Sequence, residues 1–201
     1  MHAVRLVLAL SVVWAATASA GETFKNPTAG FEVTKPKGWH YVTTEQMQED
    51  LKRVKLEDKD FQEALQKYAT VPMVAMDKYE EPYNDVNPSF KVNLRPMGQL
   101  KGRSAVEILN MFLPQLQRTL KDASVVQQPM KSVVSGLEGA YTRMDYSLET
   151  SDGQTFPSAS ELWIIPRGDY FFLFGAATRQ DEKNGTRKEI QAILKTVKIK
   201  H

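Results

Sequence analysis

The sequence predicts an α+β domain built on an antiparallel sheet, and three observations carry that prediction. From about residue 124 onward, apolar-rich runs are joined by short turns of Gly, Pro and Asp, the pattern of a strand meander. Two segments, 105–120 and 185–195, place apolar residues at helical spacing. The run Tyr170-Phe171-Phe172-Leu173-Phe174 has no polar face, so it belongs mid-sheet with cover on both sides. Side chains alternate along a strand, which sends Phe172 and Phe174 one way and Phe171 and Leu173 the other.

Taken in order, Glu22–Lys25 and Phe31–Lys35 read as short strands around the turn formers Asn26-Pro27-Thr28-Ala29-Gly30. Pro36-Lys37-Gly38 ends the second, and Trp39 follows as a large apolar anchor. Thr43 or Thr44 can cap a helix in which Met47, Leu51 and Val54 recur at helical spacing. Phe61, Leu65 and Tyr68 continue that stripe, giving helices over 44–56 and 60–69, or one bent helix. Val71–Tyr79 and Ser89–Pro96 read as strands around the Pro- and Asn-rich loop 80–88. In the second, Phe90, Val92 and Leu94 alternate with Lys91, Asn93 and Arg95, so one face is buried. Ser104 and Glu107 form a capping box ahead of the stripe Ala105, Ile108, Leu109, Phe112, Leu116, Leu120, inside which Pro114 should kink the helix. Strands are expected over 124–134, 140–149 and 158–165, with Asp152-Gly153 as a type I′ hairpin signal. A helix over 185–195 and a strand over 197–200 close the chain.

The first twenty residues carry an address. Arg5 precedes the uncharged run Leu6–Ala16, and Ala18-Ser19-Ala20 is a small-x-small cleavage site that leaves Gly21 as the new N-terminus. The run is shorter than the roughly 20 apolar residues a membrane span needs. The expectation is a cleavable signal over 1–20, a single domain over 21–201, and a soluble product in a periplasm, lumen or external medium. Of the 201 residues, 42% are hydrophobic and 25% charged, ordinary globular values. The formal net charge of +2 lacks the basic excess that nucleic-acid binding uses. With no cysteine, thiolate metal sites, thiol catalysis and acylated-cysteine anchors fall away.

Three stretches resemble the PsbP-like superfamily. They are Gly30-Phe31-Glu32-Val33-Thr34-Lys35-Pro36-Lys37-Gly38-Trp39, a strand followed by Pro-x-Gly-Trp; Gly136-Leu137-Glu138-Gly139-Ala140-Tyr141, a glycine turn into a long hairpin; and the closing helix and strand from Ile190 to Ile199. That superfamily groups the extrinsic P protein of photosystem II, DcrB-type bacterial envelope proteins and a Ran-binding nuclear import factor. The resemblance implies an antiparallel sheet sandwiched between helices, and members that bind partners or assist assemblies. It carries over no functional residue.

Chemistry-bearing motifs are sparse. Beyond the signal, histidine remains only at His40 and the terminal His201, too few for a His-rich metal centre. No Gly-x-Ser-x-Gly elbow is present. No catalytic residue, cofactor or metal ligand is assigned. Glu80, Glu81, Asp85 and Asn87 could offer oxygen ligands to calcium, but without EF-hand alternation they read as a solvated loop. Arg167-Gly168-Asp169 reads as turn chemistry rather than an adhesion signal. Asn184-Gly185-Thr186 spells a glycosylation sequon at the start of a helix. The leading expectation is an exported, non-enzymatic binding or accessory protein acting through protein–protein contact. Its contact residues would be Tyr79, Glu81, Tyr83 and Asp85, since aromatics are enriched at interface hot spots. The alternatives are a small hydrolase using cleft carboxylates such as Asp145 or Glu161, and a carrier of a small apolar ligand between sheet and helix.

Overall fold

The computed structural model describes residues 21–56 and 72–200. In chain order the elements are β1 (Thr23–Asn26), β2 (Phe31–Thr34), β3 (His40–Tyr41), α1 (Thr44–Arg53), β4 (Val54–Lys55), β5 (Val74–Asp77), β6 (Ser89–Pro96), α2 (Ala105–Thr119), β7 (Lys121–Val134), β8 (Leu137–Thr150), β9 (Thr155–Arg167), β10 (Tyr170–Arg179), α3 (Arg187–Thr196) and β11 (Lys198–Ile199). The main sheet runs β3-β5-β6-β10-β9-β8-β4, with β7 also paired to β8, and a small sheet runs β1-β2-β11. The pairings of the main sheet are antiparallel throughout.

Strand β10 lies at the centre, between β6 and β9. Phe172 and Phe174 are fully buried against Phe31 and Val33 of β2 and Ile190 and Ile193 of α3. The Phe31 and Phe172 rings stack with centroids 5.4 Å apart. On the opposite face Phe171 packs with Ile108 and Leu109 of α2, and Leu173 lies against that cluster. The sheet is therefore sandwiched as the α+β reading requires, with one refinement: α3 shares its layer with the small sheet β1-β2-β11.

Local chemistry explains where most elements begin and end. The β1–β2 turn closes when Asn26 Oδ1 accepts the Ala29 N–H at 3.0 Å. Helix α1 starts after Thr43, whose hydroxyl accepts from Gln46 N–H at 3.2 Å while Gln46 Oε1 accepts from Thr43 N–H at 2.8 Å. The Ser104–Glu107 box at the head of α2 is formed in both directions, and the helix continues through Pro114 to Thr119. Strand β7 is a long edge strand, interrupted by three register shifts and carrying Pro129, features that discourage further pairing.

Several boundaries differ from expectation. The helix expected over 44–56 stops at Arg53, because Val54 and Lys55 pair with Thr150 and Glu149 of β8, and Ser151 N–H bonds the Arg53 carbonyl at 2.8 Å. Helix 60–69, the signal 1–20 and His201 lie outside the described residues. The strand expected over 71–79 is described as Val74–Asp77; Tyr79 leaves the ladder when its N–H turns to the Asn87 side chain. Strands β7, β8 and β9 each extend two or more residues beyond expectation at one end or both. The Asp152-Gly153 turn is not type I′: Gly153 alone takes a positive φ (85°), after a Thr150 carbonyl to Gly153 N–H bond of 2.9 Å. The loop is longer than the two residues of a type I′ hairpin and needs one positive φ, which Gly153 supplies, while the Asp152 carboxylate is engaged by the Thr150 hydroxyl and by Gln154.

Phe172→Ala is expected to lower unfolding free energy by about 3–5 kcal/mol, the range for emptying a buried aromatic site. Tyr170→Ala, at a half-exposed position next to it, should cost less than about 1 kcal/mol. Urea denaturation of the two variants makes the comparison; equal costs would contradict the doubly covered strand.

Candidate partner-contact site

The loop between β5 and β6 brings Tyr79, Glu81, Tyr83 and Asp85 into one cluster. Its base is a clasp. Lys78 N–H bonds the Pro88 carbonyl at 2.8 Å, and Asn87 accepts from Tyr79 N–H at 3.0 Å while returning its own amide to the Tyr79 carbonyl at 2.9 Å. Within the loop the Glu81–Pro82 peptide is cis. The Tyr79 and Tyr83 rings stack at 4.5 Å with planes 16° apart. Glu81 Oε2 accepts from Tyr83 N–H at 2.7 Å and from Arg53 of α1 at 3.2 Å. Its other oxygen accepts from Asn87 at 2.8 Å. Asp85 accepts from Val86 N–H at 2.6 Å and from Arg179 of β10 at 2.7 Å.

Asn184 locks the loop to the segment leading into α3. The Tyr79 hydroxyl donates to the Asn184 carbonyl at 2.6 Å. The Asn184 amide donates to the Tyr83 hydroxyl at 3.3 Å and to the Val86 carbonyl at 2.7 Å. Gly185 is needed for this approach, since a Cβ there would sit 2.4 Å from the Pro88 ring. Thr186 then caps α3 with Glu189 in a second capping box. All three residues of the sequon thus serve the fold. Sequence reasoning missed Asn184 as the clasp; the Asn-Gly step before a helix was its only local trace.

The four sequence-selected residues are half-buried, and Glu80, Pro82 and Asn84 form the exposed rim of the loop. A cleft of about 470 Å³ flanks it, lined in part by Trp39, His40, Tyr79, Glu80 and Glu81. His40 Nδ1 lies 3.4 Å from Glu80, on the surface of the edge strand β3. The carboxylates are tied to arginines: Arg179 forks onto Asp181 and holds that carboxyl well below the usual carboxylate range. Among the described residues no group of three His, Asp or Glu side chains is placed to hold a metal ion.

The other singled-out residues have structural partners. Arg167 donates to the Ala29 carbonyl at 3.3 Å, and Asp169 pairs with Lys101 at 2.8 Å. Asp145 pairs with Arg143 at 3.2 Å. Glu161 is 1% exposed. Its carboxylate accepts two bonds of 3.2 Å from Arg187, the first residue of α3, and one from the Tyr141 hydroxyl. Burial and then the bond to Glu161 push the Tyr141 phenol up to about 12. Between sheet and α3, the space an apolar ligand would need is filled by Phe31, Phe172, Phe174 and Trp163.

Among solved structures, PsbP (CyanoP) from the cyanobacterium Synechocystis sp. PCC 6803 superimposes with a TM-score of 0.51 over 95% of this chain and 99% of its own, at 12% identity. The chain has the PsbP-like fold. LpqN of Mycobacterium tuberculosis, described as involved in cell envelope biogenesis, has the same fold, with a TM-score of 0.51 over 90% of this chain and 86% of its own at 13% identity. No protein-family model matches the chain, and no curated protein sequence matches it. What is common to chains this dissimilar is the PsbP-like fold alone. Among the described residues no helix is long and apolar enough to cross a membrane.

The Tyr141–Glu161 contact has a signed pH consequence. A phenol that ionises near 10 when unfolded and near 12 when folded loses its proton more readily from the unfolded chain. Its stabilising contribution is complete below pH 10 and is lost as pH rises from about 10 to 12. Alkaline unfolding of Tyr141→Phe should therefore be less steep in that window than that of the parent chain. An identical slope would remove Tyr141 from the account.

Proposed function

We infer that this chain is an exported, non-enzymatic accessory protein of a periplasm, lumen or cell envelope that works by protein contact through the Tyr79–Pro88 loop. Residues 1–20 are its cleavable signal and 21–201 its single working domain. The observation that carries the reading is the preorganisation of the loop. Two stacked tyrosines, a closed Asn87–Glu81 network and the Asn184 clasp hold it in one shape, and it presents Glu80, Pro82 and Asn84 to solvent. A loop ordered before binding loses less entropy on binding. The envelope role in the description of LpqN supports the same compartment.

The test is affinity capture of the tagged full-length chain from its own envelope fraction, read by mass spectrometry. The captured protein should begin at Gly21. Glu81→Ala with Tyr83→Ala should lower partner recovery by about tenfold or more, as expected when hot-spot residues are truncated. Recovery equal to that of the parent, with an unchanged circular dichroism spectrum, would remove the loop as the contact. An intact Met1 would contradict export with cleavage.

A further inference from the structure

The outer layer formed by α3 and the small sheet presents a face of lysines. Along α3, Ile190, Ile193 and Leu194 point into the core, and Lys188, Ala192 and Lys195 make the exposed stripe at i, i+4 and i+7 spacing. In β11, Ile199 is buried while Lys198 and the following Lys200 are exposed. The two elements share one layer. Thr196 of α3 bonds the backbone N–H of Thr34 in β2 at 3.0 Å, and Lys198 lies opposite Glu32 of β2 in register. The lysines thus lie on the outer side of one layer, on the opposite side of the main sheet from α2.

Only Lys198 has an acidic cross-strand neighbour in register, Glu32, among the described residues. Lys188, Lys195, Lys198 and Lys200 form no ion pair among the described residues. The acidic groups of the layer are engaged: Glu189 pairs with Lys78 at 2.8 Å, and Glu32 lies 3.9 Å from Lys25. The formal net charge of the whole chain is only +2, so this face concentrates positive charge well beyond the average. Among the described residues it also exposes no large apolar anchor. The large hydrophobic side chains that are exposed, Leu94, Met111, Val126, Met130, Val133 and Tyr170, all lie on other elements.

We propose that the α3–β11 lysine face docks the protein on an anionic phospholipid surface. Lysine is depleted from protein–protein interfaces, whose cores use aromatic, Met and Arg anchors; among the described residues this face exposes no large aromatic or Met side chain, and Arg187 of α3 is engaged by Glu161. Flexible ammonium groups without an inserting side chain suit a fluid layer of phosphate headgroups, where each adds attraction without fixed geometry. The contact leaves the Tyr79–Pro88 loop free for its own partner, so it goes beyond the function proposed above and is tested separately.

The measurement is co-flotation of the chain beginning at Gly21 with vesicles of phosphatidylcholine alone or mixed with phosphatidylglycerol. This form keeps every described element and removes an apolar segment that would itself bind lipid. Binding is expected only to the anionic vesicles and should fall as salt screens the charges. At about five-fold in partition per lysine, Lys195→Glu with Lys198→Glu should lose about twenty-five-fold or more. Arg103→Glu with Arg118→Glu, an equal charge change on the α2 side, should leave binding within about two-fold, since screened charges act over roughly a Debye length. Glu81→Ala with Tyr83→Ala should also bind vesicles normally. Equal loss in the lysine and arginine pairs would overturn the assignment, as would failure to bind anionic vesicles at low salt. Binding to polyglutamate but not to vesicles would overturn it in favour of an acidic protein partner.

Discussion

Burial of β10 on both faces is the constraint from which the rest of the structure follows. Four consecutive large apolar residues, Phe171 to Phe174, cannot sit on a sheet with one wet side. The strand must lie inside the sheet, and each face must carry a layer. Helix α2 covers Phe171 and Leu173; α3 with the small sheet covers Phe172 and Phe174. The remaining strands extend outward from β10, ending on one side in β7, whose alternate residues are exposed and whose register is broken.

The second cover is fastened by polar contacts, and these connect the core to the candidate site. Arg187 at the start of α3 reaches down to the buried Glu161, and Thr196 at its end bonds β2. A carboxylate buried this deeply is costly unless it is paired and hydrogen-bonded, and here it has both a guanidinium and a phenol. Immediately before α3, Asn184 holds the Tyr79–Pro88 loop by three of its own hydrogen bonds. The shape of the loop therefore depends on the seating of α3. That seating depends in turn on Phe172 and Phe174 beneath it.

The sandwich was legible in the sequence because its signals are local and redundant. Alternation in β6, the capping box at Ser104, the stripe over Ile108 and Leu109, and the unbroken apolar run of β10 each specify an element independently. What was not legible depends on partners far along the chain. Arg53 ends a helix because Thr150 and Glu149 offer strand edges nearly a hundred residues away. Asp152 does not take the positive φ its Asp-Gly sequence suggested because the strands pair across a longer loop in which Gly153 alone supplies it. Tyr79, Glu81, Tyr83 and Asp85 could be picked out by composition. The residues that arrange them could not: Asn184 and Arg179 are about a hundred positions distant. Glu161 looked like an available carboxylate only because its burial under Arg187 is a tertiary fact.

Amide hydrogen exchange on the native chain tests the central claim most directly, because it ranks local stability without altering a residue. If β10 is the doubly covered centre, the amides of Phe172 to Ala176 should be among the slowest in the protein, exchanging only by global unfolding. Those of the edge strand β7 should exchange orders of magnitude sooner. Exchange of β10 as fast as that of β7 would contradict the account, and with it the layered arrangement on which the loop and the lysine face are placed.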